Sequence, residues 1–218
     1  MLKKNSLRIT EIFSSIQGET SKVGLPTVFI RLTGCPLRCH YCDTSYAFNG
    51  GELMQLVAVI QKVKELGFKD VCITGGEPLA QNDNTKHLLK ELADLGFEVS
   101  LETGGSISVA GIDERVKIIM DIKSPDSGEV ANNLWKNIEL LKASDELKIV
   151  ICSREDYLWS RDIIDQYHIN EKCQILLSPC SSGTLEPRQL AEWILEDHIP
   201  ARFQMQIHKI LWNNQPGK

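Results

Sequence analysis

Short apolar runs rich in β-branched residues alternate with helix-period stretches along the chain, and this alternation limits the fold more than any other feature. Repeated strand–helix–strand patterns predict βαβ units, whose strands lie parallel in one sheet. The predicted strands cover 7–13, 28–33, 71–74, 99–102, 116–122, 147–151, 174–177 and 203–208. The predicted helices cover 52–66, 85–95, 131–141, 155–167 and 187–197.

The length of the chain favours an open arrangement of these strands. At 218 residues it is short for a closed eight-fold (β/α) barrel. We therefore predict an α/β fold, a partial (β/α) barrel of mainly parallel strands. No linker or low-complexity tract interrupts the pattern, so residues 1–218 are expected to form a single domain. In such folds functional residues gather at the C-terminal ends of the strands.

Charge and hydropathy exclude several classes of function. The net charge of −5 and the sequence pI near 5.6 provide no global attraction for nucleic acid or anionic membranes. No apolar run is long enough to cross a bilayer, and the charged start at 1–8 lacks the apolar core of a signal peptide. We expect a cytoplasmic protein, whose clustered cysteines are reduced and serve metal binding or catalysis.

The most informative motif is Cys35-x3-Cys39-x2-Cys42, which follows the strand predicted at 28–33. We call residues 35–42 the cysteine loop. Iron–sulfur clusters are held by Cys thiolates, and a cubane normally takes four. Three cysteines would leave one iron open to a small molecule. The alternative is structural zinc with His40 as the fourth ligand. The other four cysteines are scattered singly and are expected to be small buried apolar residues.

A second motif, Gly75-Gly76-Glu77-Pro78, follows the strand predicted at 71–74. Two glycines allow a ligand to approach the backbone closely, and Glu77 offers an acceptor for an ammonium group. Alone, the motif also suits a simple β-to-α turn. One strand after the cysteine loop, it indicates a binding site.

Together the two motifs resemble the signature of the radical S-adenosylmethionine (SAM) superfamily, with Tyr41 as the aromatic residue before the third cysteine. The resemblance implies a [4Fe–4S] cluster on Cys35, Cys39 and Cys42. Its open iron would chelate the methionyl group of SAM. One electron would then release a 5′-deoxyadenosyl radical.

Segments 11–19, 29–35, 42–44 and 206–209 further resemble the 7-carboxy-7-deazaguanine synthase family. That resemblance implies ring contraction of 6-carboxy-5,6,7,8-tetrahydropterin with loss of ammonia, in queuosine and deazapurine biosynthesis. It also implies a magnesium ion, a homodimer and an electron donor such as flavodoxin. Thr20 departs from the family, which usually has glycine there.

Residue roles carry over from the resemblance position by position. Arg31 would bind the substrate carboxylate, and Thr44 would give an oxygen to magnesium. Asp121-Ile122-Lys123 would contact SAM, although the same strand end could form a structural ion pair. The implied substrate-binding residues are Ile16, Gln17, Gly18, Arg31 and Thr74. The implied SAM-binding residues are Tyr41, Cys42, Asp43, Gly76, Asp121, Ile122 and Lys123.

Three questions stay open from the sequence. The segment 102–105 either touches a ligand or forms a glycine-rich turn. His208 either closes the pocket or is a satisfied histidine at the end of the last predicted strand. Two other functions are also possible: an activase for a glycyl radical enzyme, with the same cysteine spacing, or a ferredoxin-like electron carrier, which would need a fourth ligand.

Overall fold

One sheet of nine strands organises the part of the chain that this computed structural model describes, residues 5–213, 215 and 217. The strands are β1 (Ser6–Ile16), β2 (Pro26–Leu32), β3 (Glu52–Gln55), β4 (Asp70–Gly75), β5 (Glu98–Thr103), β6 (Lys117–Ile122), β7 (Glu146–Ile151), β8 (Gln174–Pro179) and β9 (Arg202–Phe203). The helices are α1 (Leu56–Leu66), α2 (Asn82–Asp94), α3 (Arg154–Gln166), α4 (Pro187–Glu196) and α5 (Ile207–Trp212).

The strand order is β3-β1-β2-β4-β5-β6-β7-β8-β9. All pairings from β2 to β9 are parallel, whereas β1 is antiparallel to both β2 and β3. Within the described residues β3 and β9 form two separate edges, so the sheet is open. This confirms the predicted α/β fold with a partial barrel of mainly parallel strands.

Helices α1 to α4 bury an apolar stripe against the sheet, whereas α5 has no buried residue. In α1, Leu56, Val59, Ile60 and Val63 are buried at helical spacing. Parallel strands beneath them are also apolar, as expected when both sides of a sheet are covered. None of the helices in the described ranges is long and apolar enough to cross a membrane.

Two predicted elements were wrong. The segment predicted as a helix at 131–141 forms only short 3₁₀ turns, at Val130–Asn132 and Trp135–Leu140. The buried amide of Asn137 explains this, because it bonds to the backbone of the distant loop after β5 and fixes the segment there. The strand predicted at 203–208 ends at Phe203, and α5 follows it.

The start of the helix predicted at 52–66 was also wrong. Residues Glu52–Gln55 form β3, which pairs antiparallel with the first residues of β1. The helix therefore begins at Leu56. Gly67 lies beyond its end with a φ of 77°, a left-handed conformation that glycine adopts without strain.

Candidate active site

A cavity opens where the parallel strands end, as the fold class predicts. Side chains alternate across each strand, so one face packs against the helices and the other faces the cavity. In β7, Leu147, Ile149 and Ile151 are buried in the core, whereas Lys148 and Val150 line the cavity. The cysteine loop and α5 complete the wall.

All three thiols of the cysteine loop line this cavity and are half-buried. Backbone contacts fix the loop: Gly34 N donates to Ala47 O at 2.8 Å, and Cys42 N donates to Cys39 O at 3.1 Å. Three thiols facing one space are the donor set expected for an iron–sulfur cluster with an open position. The residues present therefore fit the group that the motif implied.

The zinc alternative finds no support. His40 N donates to Ser127 O at 3.0 Å, and His40 Nδ1 lies 3.2 Å from Asp126 O, which holds the ring against the turn after β6. Among the residues that the structure describes, no three His, Cys, Asp or Glu side chains are placed to hold a single metal ion.

Burial affects the protonation of the cluster thiols. It raises the pKa of Cys39 to about 11, although Lys123 acts in the opposite direction. It also raises the pKa of Cys35. In the metal-free protein these thiols therefore keep their protons at neutral pH, and cluster binding must release them.

The two glycines of the second motif make room for the cysteine loop. A Cβ atom at Gly76 would lie 2.5 Å from Gly34 O and 2.7 Å from Cys35 Cβ. A Cβ atom at Gly75 would lie 2.4 Å from Leu32 O. Only glycine lets these backbones approach so closely. The motif therefore shapes the cluster site as well as offering Gly76 to a ligand.

Glu77 does not match the role of ammonium acceptor. Its buried carboxylate accepts hydrogen bonds from Leu79 N at 3.0 Å, from Thr103 Oγ1 at 2.9 Å and from Gly104 N at 2.7 Å. Burial raises the pKa of Glu77, and these donors act against that rise. The carboxylate joins the turn after β4 to the turn after β5. Glu77 thus fixes the turn in segment 102–105, while Glu102, Thr103 and Gly104 line the cavity, so that contact with a ligand stays a prediction.

All five predicted substrate residues line the cavity. Gln17 Nε2 donates to Glu102 Oε1 at 3.4 Å, and Thr74 Oγ1 donates to Glu102 Oε2 at 3.1 Å. From the sequence, Glu102 was placed only in a segment that either touches a ligand or forms a turn. Burial raises its pKa. Its position at the end of β5, directly before Thr103-Gly104-Gly105, was the signal that pointed to it.

Gly18 has a steric role that the sequence did not reveal. A Cβ atom at Gly18 would lie 1.9 Å from His208 Nδ1, so the imidazole packs directly on the glycine. His208 belongs to α5 rather than to a strand, is half-buried and lines the cavity. Burial lowers its pKa. Of the two possibilities left open, the structure favours a histidine that closes the pocket. The fifth substrate residue, Ile16, is the last residue of β1.

Arg31 points inward and has the partner that an inward charge requires. Its Nε donates to Glu11 Oε1 at 2.6 Å, and Tyr46 Oη donates to the same oxygen at 2.8 Å. The rings of Phe13 and Tyr46 each lie 5.9 Å from the guanidinium carbon. These contacts fix the guanidinium plane at the side of the cavity.

The predicted SAM residues divide by strand alternation. Asp121 and Lys123 line the cavity, and Lys123 Nζ lies 3.2 Å from Asp121 Oδ2, so the structural ion pair exists within the site. Ile122, between them, has its side chain in the apolar core, and its contact with SAM stays a prediction. Tyr41, Cys42, Asp43 and Gly76 all line the cavity.

A buried ion-pair network that the sequence did not reveal lies behind the site. Lys148 Nζ lies 2.7 Å from Glu19 Oε2 and 3.4 Å from Asp121 Oδ2. Gln206 Nε2 donates to Glu19 Oε1. Burial raises the pKa of Glu19, but Lys148 outweighs it, and the result is a pKa of about 2. A lysine within an otherwise apolar strand was the available signal.

Asp43 and Thr44, which follow the third cysteine, make different contacts. Thr44 lines the cavity with its Oγ1 3.8 Å from Cys42 Sγ. Asp43 accepts a hydrogen bond from Lys209 Nζ at 2.5 Å, which links the end of the cysteine loop to α5.

Comparisons with known proteins agree with this site. Residues 29–127 match the model of the radical SAM superfamily. The chain is 45% identical to the 7-carboxy-7-deazaguanine synthase of Chlorobaculum tepidum, covering 95% of this chain and 94% of that protein. It is 38% identical to the protein of the same name from Thermoplasma acidophilum, covering 96% and 99%. The crystal structure of QueE from Escherichia coli has a similar fold, with a TM-score of 0.76, 23% identity and coverage of 92% and 94%.

The open parallel sheet, the cysteine loop and the matched model define an enzyme of the radical SAM superfamily. Within it, the chain belongs to the 7-carboxy-7-deazaguanine synthase family. The relatives give no support to an activase or an electron carrier.

Proposed function

We propose that this protein converts 6-carboxy-5,6,7,8-tetrahydropterin to 7-carboxy-7-deazaguanine with release of ammonia, a step of queuosine and deazapurine biosynthesis. One observation carries the proposal: the three cysteines and the group around Arg31 line the same cavity. Radical chemistry at the cysteine loop would therefore act on a molecule held by Arg31. The names of relatives that align over nearly the whole chain support the same reaction.

Cys35, Cys39 and Cys42 would hold the [4Fe–4S] cluster. When bound, the cluster and SAM supply a radical that removes a hydrogen atom from the substrate. The chain holds the loop rigidly through its backbone bonds to Ala47 and Ser127. The charges of Asp121 and Lys123, beside the loop, are suited to the amino and carboxylate groups of SAM, as are Tyr41, Asp43 and Gly76 along the wall.

Substrate recognition would rest on groups opposite the cysteine loop. Glu11 occupies Nε of Arg31, so a substrate carboxylate would bind through the two Nη groups of the guanidinium. Gln17 and Glu102 together offer a donor and acceptors for the amide-like edge of a pterin. Thr74, bonded to Glu102, keeps that carboxylate oriented. Ile16 and Gly18 would pack against the ring.

Several finer features belong to the same proposal. A magnesium ion would take an oxygen from Thr44, because Mg²⁺ prefers hard oxygen ligands and shares them with substrate. The continuous sheet supports a single domain over 1–218. We further propose a homodimer that works in the cytoplasm and receives electrons from a donor such as flavodoxin.

Arg31 variants test the division of roles. Arg31→Ala should keep the cluster spectrum and reductive cleavage of SAM, yet lose roughly 100-fold or more in pterin turnover because a charged bidentate contact disappears. Arg31→Lys is the matched control, because it keeps the positive charge but loses the two-pronged guanidinium. Its pterin turnover should lie between those of wild type and Arg31→Ala, with a raised KM. The assay is anaerobic turnover of the carboxylated tetrahydropterin. Wild-type turnover by Arg31→Ala would refute the assignment.

Cys39→Ala tests the other half of the proposal. The variant should lose bound iron and the cluster absorbance, and with them both SAM cleavage and pterin turnover. Iron that stays bound at the wild-type ratio would mean that the cysteine loop does not hold the cluster.

A further inference from the structure

Two cysteines outside the cysteine loop lie side by side. Cys152 follows β7 and Cys180 follows β8, and these parallel strands pair up to Ile151 and Pro179. Cys180 N donates to Ile151 O at 2.8 Å, which extends the pairing to the cysteines. Both thiols are free, and each shifts the pKa of the other, which places them close together.

This pair differs from the other single cysteines. Cys72 and Cys173 are buried among core residues, as the sequence predicted for all four. Cys180 is also buried, as predicted, but it lines the cavity, whereas Cys152 is only half-buried. The cavity therefore brings a small molecule next to Cys180.

The backbone suits a covalent bridge between the two residues. Neighbouring strands lie about 4.8 Å apart, and the Cα atoms of disulfide-bonded cysteines are usually about 4.4–6.8 Å apart. Cys152 and Cys180 directly follow the last paired residues of these strands, Ile151 and Pro179. We therefore expect a disulfide bond to form by side-chain rotation, without movement of β7 or β8.

The surroundings distinguish the two sulfurs. Cys180 Sγ lies 3.4 Å from Ser182 Oγ. The neighbouring side chains of Cys152 and Ser182, together with the backbone of Ser182 and Gly183, lower the pKa of Cys180 to about 5. The same contact with Cys180, followed by burial, raises the pKa of Cys152. Since the thiolate is the nucleophile in disulfide exchange, Cys180 is the attacking residue.

We propose that Cys180 and Cys152 form a redox-active dithiol that a small-molecule disulfide converts into an intramolecular disulfide bond. The Cys180 thiolate attacks one sulfur of the small molecule, forming a mixed disulfide and releasing one thiolate. Cys152 then gives its proton to that thiolate or to water and attacks Cys180 Sγ, which releases the second thiolate. Two protein thiols are oxidised and one disulfide is reduced to two thiols, so no other reactant is needed.

The disulfide bond would form in the wall of the cavity, beside the contacts that hold α5. Ser181, next to Cys180, accepts a hydrogen bond from Lys209 Nζ at 2.7 Å, and the same ammonium group pairs with Asp43. Cys180 thus begins a segment that connects β8 to α5 and to the end of the cysteine loop. The proposal concerns thiol chemistry at this wall and does not depend on which substrate the enzyme converts.

The experiment uses anaerobic, cluster-loaded enzyme, because the cluster protects Cys35, Cys39 and Cys42. Glutathione disulfide is added, free thiols are alkylated in acid, and tryptic peptides are identified by tandem mass spectrometry. We expect a peptide that joins Cys152 to Cys180 and lacks two hydrogens, loss of two free thiols, and unchanged cluster absorbance. A phosphine reductant should restore both thiols.

Three variants sharpen the result. Trypsin leaves Cys173 and Cys180 on one peptide, 173–188, so Cys173→Ser is the matched control and should form the bridge at the wild-type rate. Cys152→Ser should stop at the mixed disulfide, with one glutathione retained on Cys180. Cys180→Ser should slow the modification of Cys152 roughly ten-fold or more.

The proposal is overturned if wild-type enzyme with an intact cluster forms no link between Cys152 and Cys180 in excess glutathione disulfide. Failure of Cys152→Ser to retain glutathione, or a wild-type rate at Cys152 in Cys180→Ser, would equally reject Cys180 as the attacking thiol. The wild-type measurement decides the question even if a variant does not fold.

Discussion

Replacement of Lys148 by Met would test whether the buried ion-pair network holds the β1–β2 loop to the sheet. The side chains of Lys148, Glu19 and Asp121 are only 12%, 9% and 18% exposed. Methionine is similar in length but uncharged, so the substitution leaves Glu19 without its cation, while Asp121 keeps its pair with Lys123. Removal of one partner of a buried pair typically costs about 3–5 kcal/mol.

The pKa of Glu19 gives an independent magnitude. It falls from 4.5 to about 2, because the attraction of Lys148 outweighs the effect of burial. At about 1.4 kcal/mol per pH unit, this lowering corresponds to about 3 kcal/mol of stability at neutral pH. We therefore expect Lys148→Met to reduce the free energy of unfolding by about 3 kcal/mol at pH 7.

The effect should depend on pH in a definite direction. A carboxyl group whose pKa is lower in the folded state stabilises the fold above its unfolded pKa. For Glu19 this contribution is complete above pH 4.5 and is lost as the pH falls toward 2. The difference in stability between wild type and Lys148→Met should therefore shrink over that range. Glu102 acts in a different pH range: burial raises its pKa, so it costs stability above pH 4.5, and loss of Lys148 should enlarge that cost.

Urea unfolding of the cluster-free protein, followed by tryptophan fluorescence from pH 7 to about pH 3, measures this difference. Lys90→Met is the matched control, because Lys90 pairs with Asp94 on the exposed face of α2 and should show no measurable change. The reasoning is refuted if the two variants unfold alike at pH 7. A difference that stays constant through the acid range would refute it as well.

Three further variants probe single positions. Gly76→Ala places a Cβ 2.7 Å from Cys35 Cβ, so the loop must move, and most bound iron should be lost in an iron assay; wild-type iron content would contradict this. Thr20 has a φ of 69°, so in urea unfolding Thr20→Gly should be about 1 kcal/mol more stable than Thr20→Ala, and the reverse order would exclude backbone strain there. Ser153 accepts a hydrogen bond from Asp156 N at the start of α3, so Ser153→Ala should lose about 1 kcal/mol; no loss would dismiss the cap.

The fold could be predicted where short-range pattern decides it. The runs at 71–74 and 147–151 became β4 and β7, because residues 71–74 are buried on both faces of the sheet and Leu147, Ile149 and Ile151 pack in the core. The segment 131–141 has a helical pattern, yet the bonds of Asn137 to a loop 28 to 32 residues earlier override it. No local pattern in the sequence predicts such a long-range contact.

The candidate site was likewise predictable only in part from the sequence. Motifs at strand ends predicted the cysteine loop and Gly76 at one edge of the sheet, whereas Arg31 and Gln17 were assigned from the family resemblance; all of them line one cavity. The partners that orient these residues come from distant segments. Lys148 meets Glu19 across 129 residues, and Glu102 receives Gln17 across 85. Spacing in the sequence cannot show which charges will face each other.

The loop after β1 and the start of α5 meet at the cavity wall. Ile207 N donates to Gly18 O at 3.1 Å, and Gln206 bonds to Glu19, 187 residues away. Synthesis proceeds from the N-terminus, so the cysteine loop leaves the ribosome long before α5 exists. Until then the wall of the cavity around the three thiols is incomplete. We therefore expect the finished site to form only after α5 has been made, and a chain that stops before residue 206 would carry the cysteine loop without this part of the cavity wall.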